Sequence, residues 1–353
     1  MSDYKMETNE AIMLMTGLLS SKLFLITPVY FNRVAGSGAL IALVFYFAVA
    51  GLILLFSTHL YKKHPGLDLL DLCKSAWLKY FLGNILVLVL VFTTAITFRQ
   101  YTDSLKEIML PDSPIYFVGA LIAIGMITGA YSGLKGVAKT HSFFIPIIVI
   151  VTALLIFLAF PEYRITALTP ILGKGAYKIF VKGMFLLSTL FDMIFFFFLP
   201  PLLRKKESFT RVGTASYMIT FIFYAAVISA YTITGSGSFT PDAYPPVFGI
   251  IRLIKIGTFM ERPDSVFLIF YSLSALLYLS AALFFTSGIF AKANSISHRR
   301  EVVGPIGIII FGASVINVIS ENIYSFSQSI GMFLWIIPLV LPFVPFLKKG
   351  GIS

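Results

Sequence analysis

Two charged side chains stand near the middle of apolar runs long enough to cross a membrane. Lys22 lies within Ala11 to Phe31, beside Ser20 and Ser21 and ahead of Pro28. Asp192 lies within KGMFLLSTLFDMIFFFFLPPLLR, Lys182 to Arg204, beside Ser188 and Thr189. A bare carboxylate at that depth costs roughly 2.5–3.5 kcal/mol on insertion scales, so such residues are rare without a partner or a function. One cation and one anion at matching depth can neutralise each other, or share a polar ligand. Both readings stand on residue type alone: a buried ion pair that only fixes two helices, or a site.

The hydroxyls next to the charges mark where the two helices are expected to break. A broken membrane helix frees N–H groups at one half-helix start, which suit a carboxylate. It frees carbonyls at the other half's end, which suit an ammonium or metal cation. A small zwitterion could thus be held by Ser20, Ser21, Lys22 and Leu23 on one side and Ser188, Thr189 and Asp192 on the other. Hydroxyls also bond back to their own preceding turn. Thr93 and Thr97 in the third run, and Ser274 and Tyr278 in the eighth, fall at similar depth and complete the candidate ligand-binding set; hydroxyls between membrane helices also serve as packing contacts. Arg99 and Asp103 have the spacing of a local pair. No nucleophile–base arrangement, phosphate loop or zinc motif is present, so neither an enzyme nor a metal or cofactor site is expected.

Apolar content of 58%, aromatic content of 16% and a mean hydropathy of +0.91 exclude an ordinary soluble domain. The net charge of +11 belongs to short loops between membrane spans, and nucleic-acid binding is not expected. Ten runs approach the roughly 20 residues a span needs: about 11–31, 38–60, 82–107, 115–133, 142–160, 182–203, 211–233, 265–290, 303–320 and 326–347. Lys62, Lys63, Lys135, Lys139, Arg204, Lys205, Lys206, Arg299 and Arg300 fall on one side. The positive-inside rule then places both termini in the cytoplasm. The first run has no small-residue cleavage site after it and reads as a retained span. The lone Cys73 reads as a small filler near a loop.

Between the runs, Leu67–Tyr80 has the pattern of an amphipathic helix lying on the membrane interface. Connections 161–181 and 234–264 are long, with Pro and Gly punctuation, and read as ordered segments over the opposite face, the second with a helical core at 247–259. The chain reads as one transmembrane domain, 1–353, in two halves, about 11–160 and 182–347. Five spans per half invert the second half relative to the first, the plan of inverted-repeat transporters whose first and sixth helices are broken.

Several stretches carry a further likeness: Leu110-Pro111-Asp112-Ser113-Pro114, the mid-span Asp192 followed by Pro200, Tyr244-Pro245, and Arg252-Leu253-Ile254-Lys255-Ile256-Gly257-Thr258-Phe259 with Glu261-Arg262. In this order the chain resembles the B subunit of spore germinant receptors (GerAB-like), within the amino acid–polyamine–organocation transporter superfamily. It departs from that family in having Ser21-Lys22-Leu23 where glycines are usual, and Asp192 where Glu is usual. The resemblance implies an all-α LeuT-like fold and the inner membrane of a bacterial spore. It further implies work beside A and C subunits, and sensing of a small nutrient, often an amino acid. A secondary amino acid or polyamine transporter would use the same fold.

Overall fold

The computed structural model describes residues 4–73, 75–235, 245–253, 263–316 and 334–341. Among these the chain is almost wholly helical, and the single β-type contact is an isolated parallel bridge between Met6 and Leu203. Six helical stretches are long and apolar enough to cross a bilayer. Others of the expected spans are shorter for identifiable reasons. The first is divided into α1 (Thr8–Ser20) and α2 (Thr27–Ala35), while the fourth and ninth are the compact α5 (Ile115–Tyr131) and α11 (Arg300–Val315). The tenth lies mostly outside the described residues, apart from a short helix α12 (Ile336–Val340).

The remaining elements in order are α3 (Ala39–Lys63), α4 (Ala76–Met109), α6 (Gly133–Leu158), α7 (Ala176–Phe180), α8 (Phe209–Ile233), α9 (Pro246–Ile251) and α10 (Pro263–Ala293). Helix α10 packs against α4, α5, α6 and α11, and α1 packs against α6 and α8. The halves of the first span are thus enclosed by helices on several sides.

The sixth span differs from its neighbours. Lys182–Phe198 is wound as one 3-10 helix of 17 residues, rather than being interrupted at Ser188 and Thr189. At about 2.0 Å per residue this winding carries 17 residues roughly 34 Å, against about 26 Å as an α-helix. That length matches a bilayer core of roughly 30 Å. Such winding is usual only in short pieces; here Phe185 to Phe198 are buried almost without exception. The run Phe195–Phe198 packs in the core: Phe195 against Phe285, Phe196 edge-on to Phe209, and Phe197 against Tyr61.

Leu67–Tyr80 is not an interfacial helix. Residues 66–72 form turns, and Trp77 and Tyr80 belong to the first turns of α4. The cause is non-local. Lys292, in the last turn of α10, reaches Asp68 at 2.5 Å and Asp71 at 2.6 Å and draws both carboxylates inward. Leu69 and Leu70 become fully buried, and the Leu69 N–H donates to Phe197 C=O at 3.0 Å. This loop therefore latches the ends of the sixth and eighth spans together. The chain before α1 is pinned at the same end, where Met6 N–H donates to Leu202 C=O and Arg204 N–H donates to Met6 C=O.

At the opposite end the 161–181 connection is ordered, as expected, and straps the end of α2. Lys174 N–H donates to Ala35 C=O at 3.1 Å, and Ser37 Oγ donates to Pro170 C=O at 2.6 Å. Gly173 makes the closest approach: φ is +47°, and a Cβ there would stand 1.8 Å from the Ala35 carbonyl oxygen. A side chain at that position would push the strap off α2. Of the second long connection, 234–235, 245–253 and 263–264 are described, and α9 forms the start of its helical core; the rest, with Tyr244, Ile254–Phe259 and Glu261-Arg262, lies outside the described residues.

Candidate functional site

The break in the first span follows from its sequence. Pro28 has no N–H to donate and is disfavoured in a helix interior, whereas in a first turn the missing donor costs nothing. The chain leaves α1 at Ser20, makes a 3-10 turn over Ser21–Phe24, and restarts at Thr27 with Pro28 in the first turn. Lys22 therefore sits in the break itself.

Its ammonium meets Asp192 from the sixth span, with Nζ 2.8 Å from Oδ2. The side chains are 15% and 2% exposed, so the pair is largely withdrawn from solvent. The approach lies off a hydrogen-bond line, and Oδ2 has no hydrogen-bond partner among the described residues. Oδ1 accepts from the Tyr278 hydroxyl of α10 at 3.1 Å. Lys22 Nζ also lies 5.8 Å from the centre of the Phe191 ring. Three spans distant in sequence thus converge on one buried carboxylate. Stripping either partner would leave a charge in low dielectric at a cost of several kcal/mol.

Beside the pair opens a cavity of about 80 Å³, room for several waters. Of the candidate residues, Lys22, Thr93, Thr97, Ser188 and Thr189 line it. Asp192 and Tyr278 stand behind Lys22 and do not line it. Ser20, Ser21, Leu23 and Ser274 are buried elsewhere: Ser21 contributes its carbonyl to the Tyr101 hydroxyl at 2.8 Å, Ser274 lies beside that same hydroxyl, and Leu23 is core. The rest of the lining includes Thr27, Tyr30, Gln100, Phe185 and Phe191, which the mid-span pattern does not single out. Gln100 lies beside the Arg99–Asp103 pair, which is present with Nε 2.9 Å from Oδ1; a polar run there reads as the end of a span.

The hydroxyl wall has a defined polarity. Thr93 donates to Val89 C=O at 3.0 Å, Thr97 to Thr93 C=O at 3.0 Å, Ser188 to Phe185 C=O at 2.6 Å and Thr189 to Leu186 C=O at 2.7 Å. With their hydrogens committed, these oxygens can offer only lone pairs to a guest. The Lys22 ammonium and the Gln100 amide supply donors, and among the described residues the amide of Gln100 has no hydrogen bond of its own. The cavity can therefore receive a molecule with a donor group on one side and an acceptor or anionic group on the other. No group of three or more His, Cys, Asp or Glu placed to hold a metal occurs among the described residues.

The arrangement of the helices around this cavity is the LeuT-type fold of membrane proteins, with the sixth span here continuously wound instead of broken. The solved structure of MhsT in complex with L-phenylalanine superposes on the chain with a TM-score of 0.70 at 13% identity, covering 97% of this chain and 98% of that one. Within that class the chain belongs to the spore germination protein family Spore_permease, whose model matches residues 7–322. It is similar to Spore germination protein XB of Bacillus anthracis, 22% identical over 276 residues, 76% of either chain. It is also similar to Spore germination protein KB of Bacillus subtilis (strain 168), 24% identical over 317 residues, 85% of this chain and 82% of that one.

Proposed function

We propose that this chain is the membrane subunit of a spore germinant receptor and senses a small nutrient, an amino acid, in the cavity beside Lys22. The observation that carries the reading is the two-sided polarity of that cavity. A ligand carboxylate finds the Lys22 ammonium and the Gln100 amide, while a ligand ammonium finds the acceptor oxygens of Thr93, Thr97, Ser188 and Thr189. Membership of the germination family supports a sensing role. On this reading the chain lies in the spore inner membrane with both termini cytoplasmic, works beside an A subunit and a lipoprotein C subunit, and catalyses no reaction. The second reading, a secondary amino acid or polyamine transporter, is favoured by the likeness to solved transporter structures.

Spores whose only receptor contains this chain distinguish the readings when paired with liposomes holding the purified chain. The receptor reading expects an amino-acid germination response that Gln100→Ala weakens at least tenfold, and no uptake of the same radiolabelled amino acid. Sustained uptake by the chain alone would favour the transporter. An unchanged response in Gln100→Ala would remove the cavity from the reading.

A further inference from the structure

Unwound carbonyls in a membrane helix are where inorganic cations lose their water and find replacement oxygens. At this break those oxygens are already engaged. Leu19 C=O accepts from the Tyr224 hydroxyl at 3.2 Å, and Ser21 C=O from the Tyr101 hydroxyl at 2.8 Å. Lys22 C=O accepts from Thr27 Oγ1 at 2.8 Å and from Leu25 N–H at 3.1 Å. Three separate elements, α4, α8 and α2, each contribute a hydroxyl to one of three carbonyls. A cation arriving there would have to displace these hydroxyls, and those of Tyr101 and Tyr224 belong to fully buried side chains.

The nearby negative charge is likewise committed. Asp192 Oδ1 is held by Tyr278 and Oδ2 faces Lys22 Nζ at 2.8 Å. The ammonium stands against the carboxylate, where a monovalent counter-ion would have to sit, and lies 5.8 Å from the centre of the Phe191 ring. Its four-carbon stem comes from the break itself, so it cannot diffuse away.

We propose that Lys22 Nζ is the resident cation of this site, and that the chain binds no sodium there. Removing the ammonium should then convert the site. Lys22→Ala leaves a buried carboxylate oxygen without a countercharge and empties the space of the ammonium, where the acceptor oxygens of the cavity's hydroxyl wall, not the engaged carbonyls, would complete the shell of a small monovalent cation. The proposal does not depend on which nutrient the cavity takes, or on whether it takes one.

The test uses the purified full-length chain in detergent. Radiolabelled sodium binding and thermal midpoints are measured in sodium chloride and in choline chloride at equal ionic strength. The wild-type chain is expected to show no saturable sodium binding and the same midpoint in both salts. Lys22→Ala is expected to bind sodium saturably and to melt higher in sodium chloride. The double variant Lys22→Ala with Asp192→Asn should lose both properties. Saturable sodium binding by the wild-type chain would overturn the proposal. So would a folded Lys22→Ala chain indifferent to sodium, because the ammonium would then not be standing in a cation site. If Lys22→Ala folds poorly, its yield of folded protein should be severalfold higher when extracted and kept in sodium chloride; equal yields in the two salts count against the proposal. A wild-type chain that binds none of the common amino acids, yet follows this sodium pattern, would reject the nutrient reading and leave the resident cation standing.

Discussion

Lys22 and Asp192 are worth more together than the sum of what each does alone. Either side chain left single in the membrane interior carries an uncompensated charge, whereas a neutral pair carries none. Lys22→Met and Asp192→Asn should therefore each destabilise the chain by about 3–5 kcal/mol, the range for breaking one partner of a buried pair. The double variant should recover most of that loss, so the coupling energy in the cycle should exceed either single loss. Denaturation of the four purified chains under one set of conditions measures it. Purely additive losses would mean that the 2.8 Å contact contributes no energy. The pair was legible in the sequence because mid-span charge is expensive and two such charges at one depth point to each other. The Gln100 amide was not, because only the fold, which packs α4 against α10, α11 and α5, brings it to the cavity beside Lys22.

At the scale of elements, the loop 66–72 shows how a local pattern misleads. Leu67, Leu70, Trp77 and Tyr80 have helical spacing, but Asp68 and Asp71 answer to Lys292, far along the chain. The break in the first span could be read because Pro28 favours it locally. The tight winding of the sixth span could not, since it depends on helices packed around it on every side. The latch gives a pH signature. Burial raises the Asp68 carboxyl above its ordinary range, against the opposing pull of Lys292. Asp71 is also penalised by burial, but its bonds to Lys292 and to Asp68 prevail and hold it below the ordinary range. A raised acid binds its proton more readily in the folded chain, so the Asp68 contribution is present at low pH and is lost as pH rises through the folded value. The Asp71 contribution is present above an ordinary pKa of about 3.9 and is lost as pH falls through its depressed folded value. Acidification from pH 7 toward about 4 should therefore raise the thermal midpoint, and further acidification should lower it. Asp68→Asn should flatten the rise and keep the fall. A midpoint that falls steadily from pH 7 in the wild-type chain, with no change on Asp68→Asn, would mean that Asp68 is not buried against Lys292.

The whole molecule has two distinct ends. Lys63, Arg204 and Lys205 lie at the end that holds the Lys292 latch and the pinned N-terminal residues, while the 161–181 strap covers the other. The class of fold was legible from composition, span count and the placement of polar residues, and the family from short motifs in order. What the sequence did not show is how far the first span's two pieces fall below the length of a crossing helix, because the break removes residues from both. Single-cysteine chains on a Cys73→Ser background, with reporters at Lys63, Lys205 or Glu162, test the orientation with an impermeant maleimide applied to intact cells. Glu162→Cys should label, and Lys63→Cys and Lys205→Cys should label only after the membrane is opened. Labelling of Lys205→Cys in intact cells would invert the orientation.

The claim that the cavity beside Lys22 is a ligand site is tested most directly by thermal denaturation of the purified chain against each common L-amino acid. A ligand at a hundred times its dissociation constant stabilises the folded chain by about 2.7 kcal/mol, a shift of several degrees at most. The predicted result is stabilisation by one or a few related amino acids, abolished by Gln100→Ala and by Thr97→Leu, which fills the cavity, while both variants keep the unliganded midpoint within a few degrees of the parent. Stabilisation that survives both changes, or none by any amino acid at any concentration tried, would contradict it.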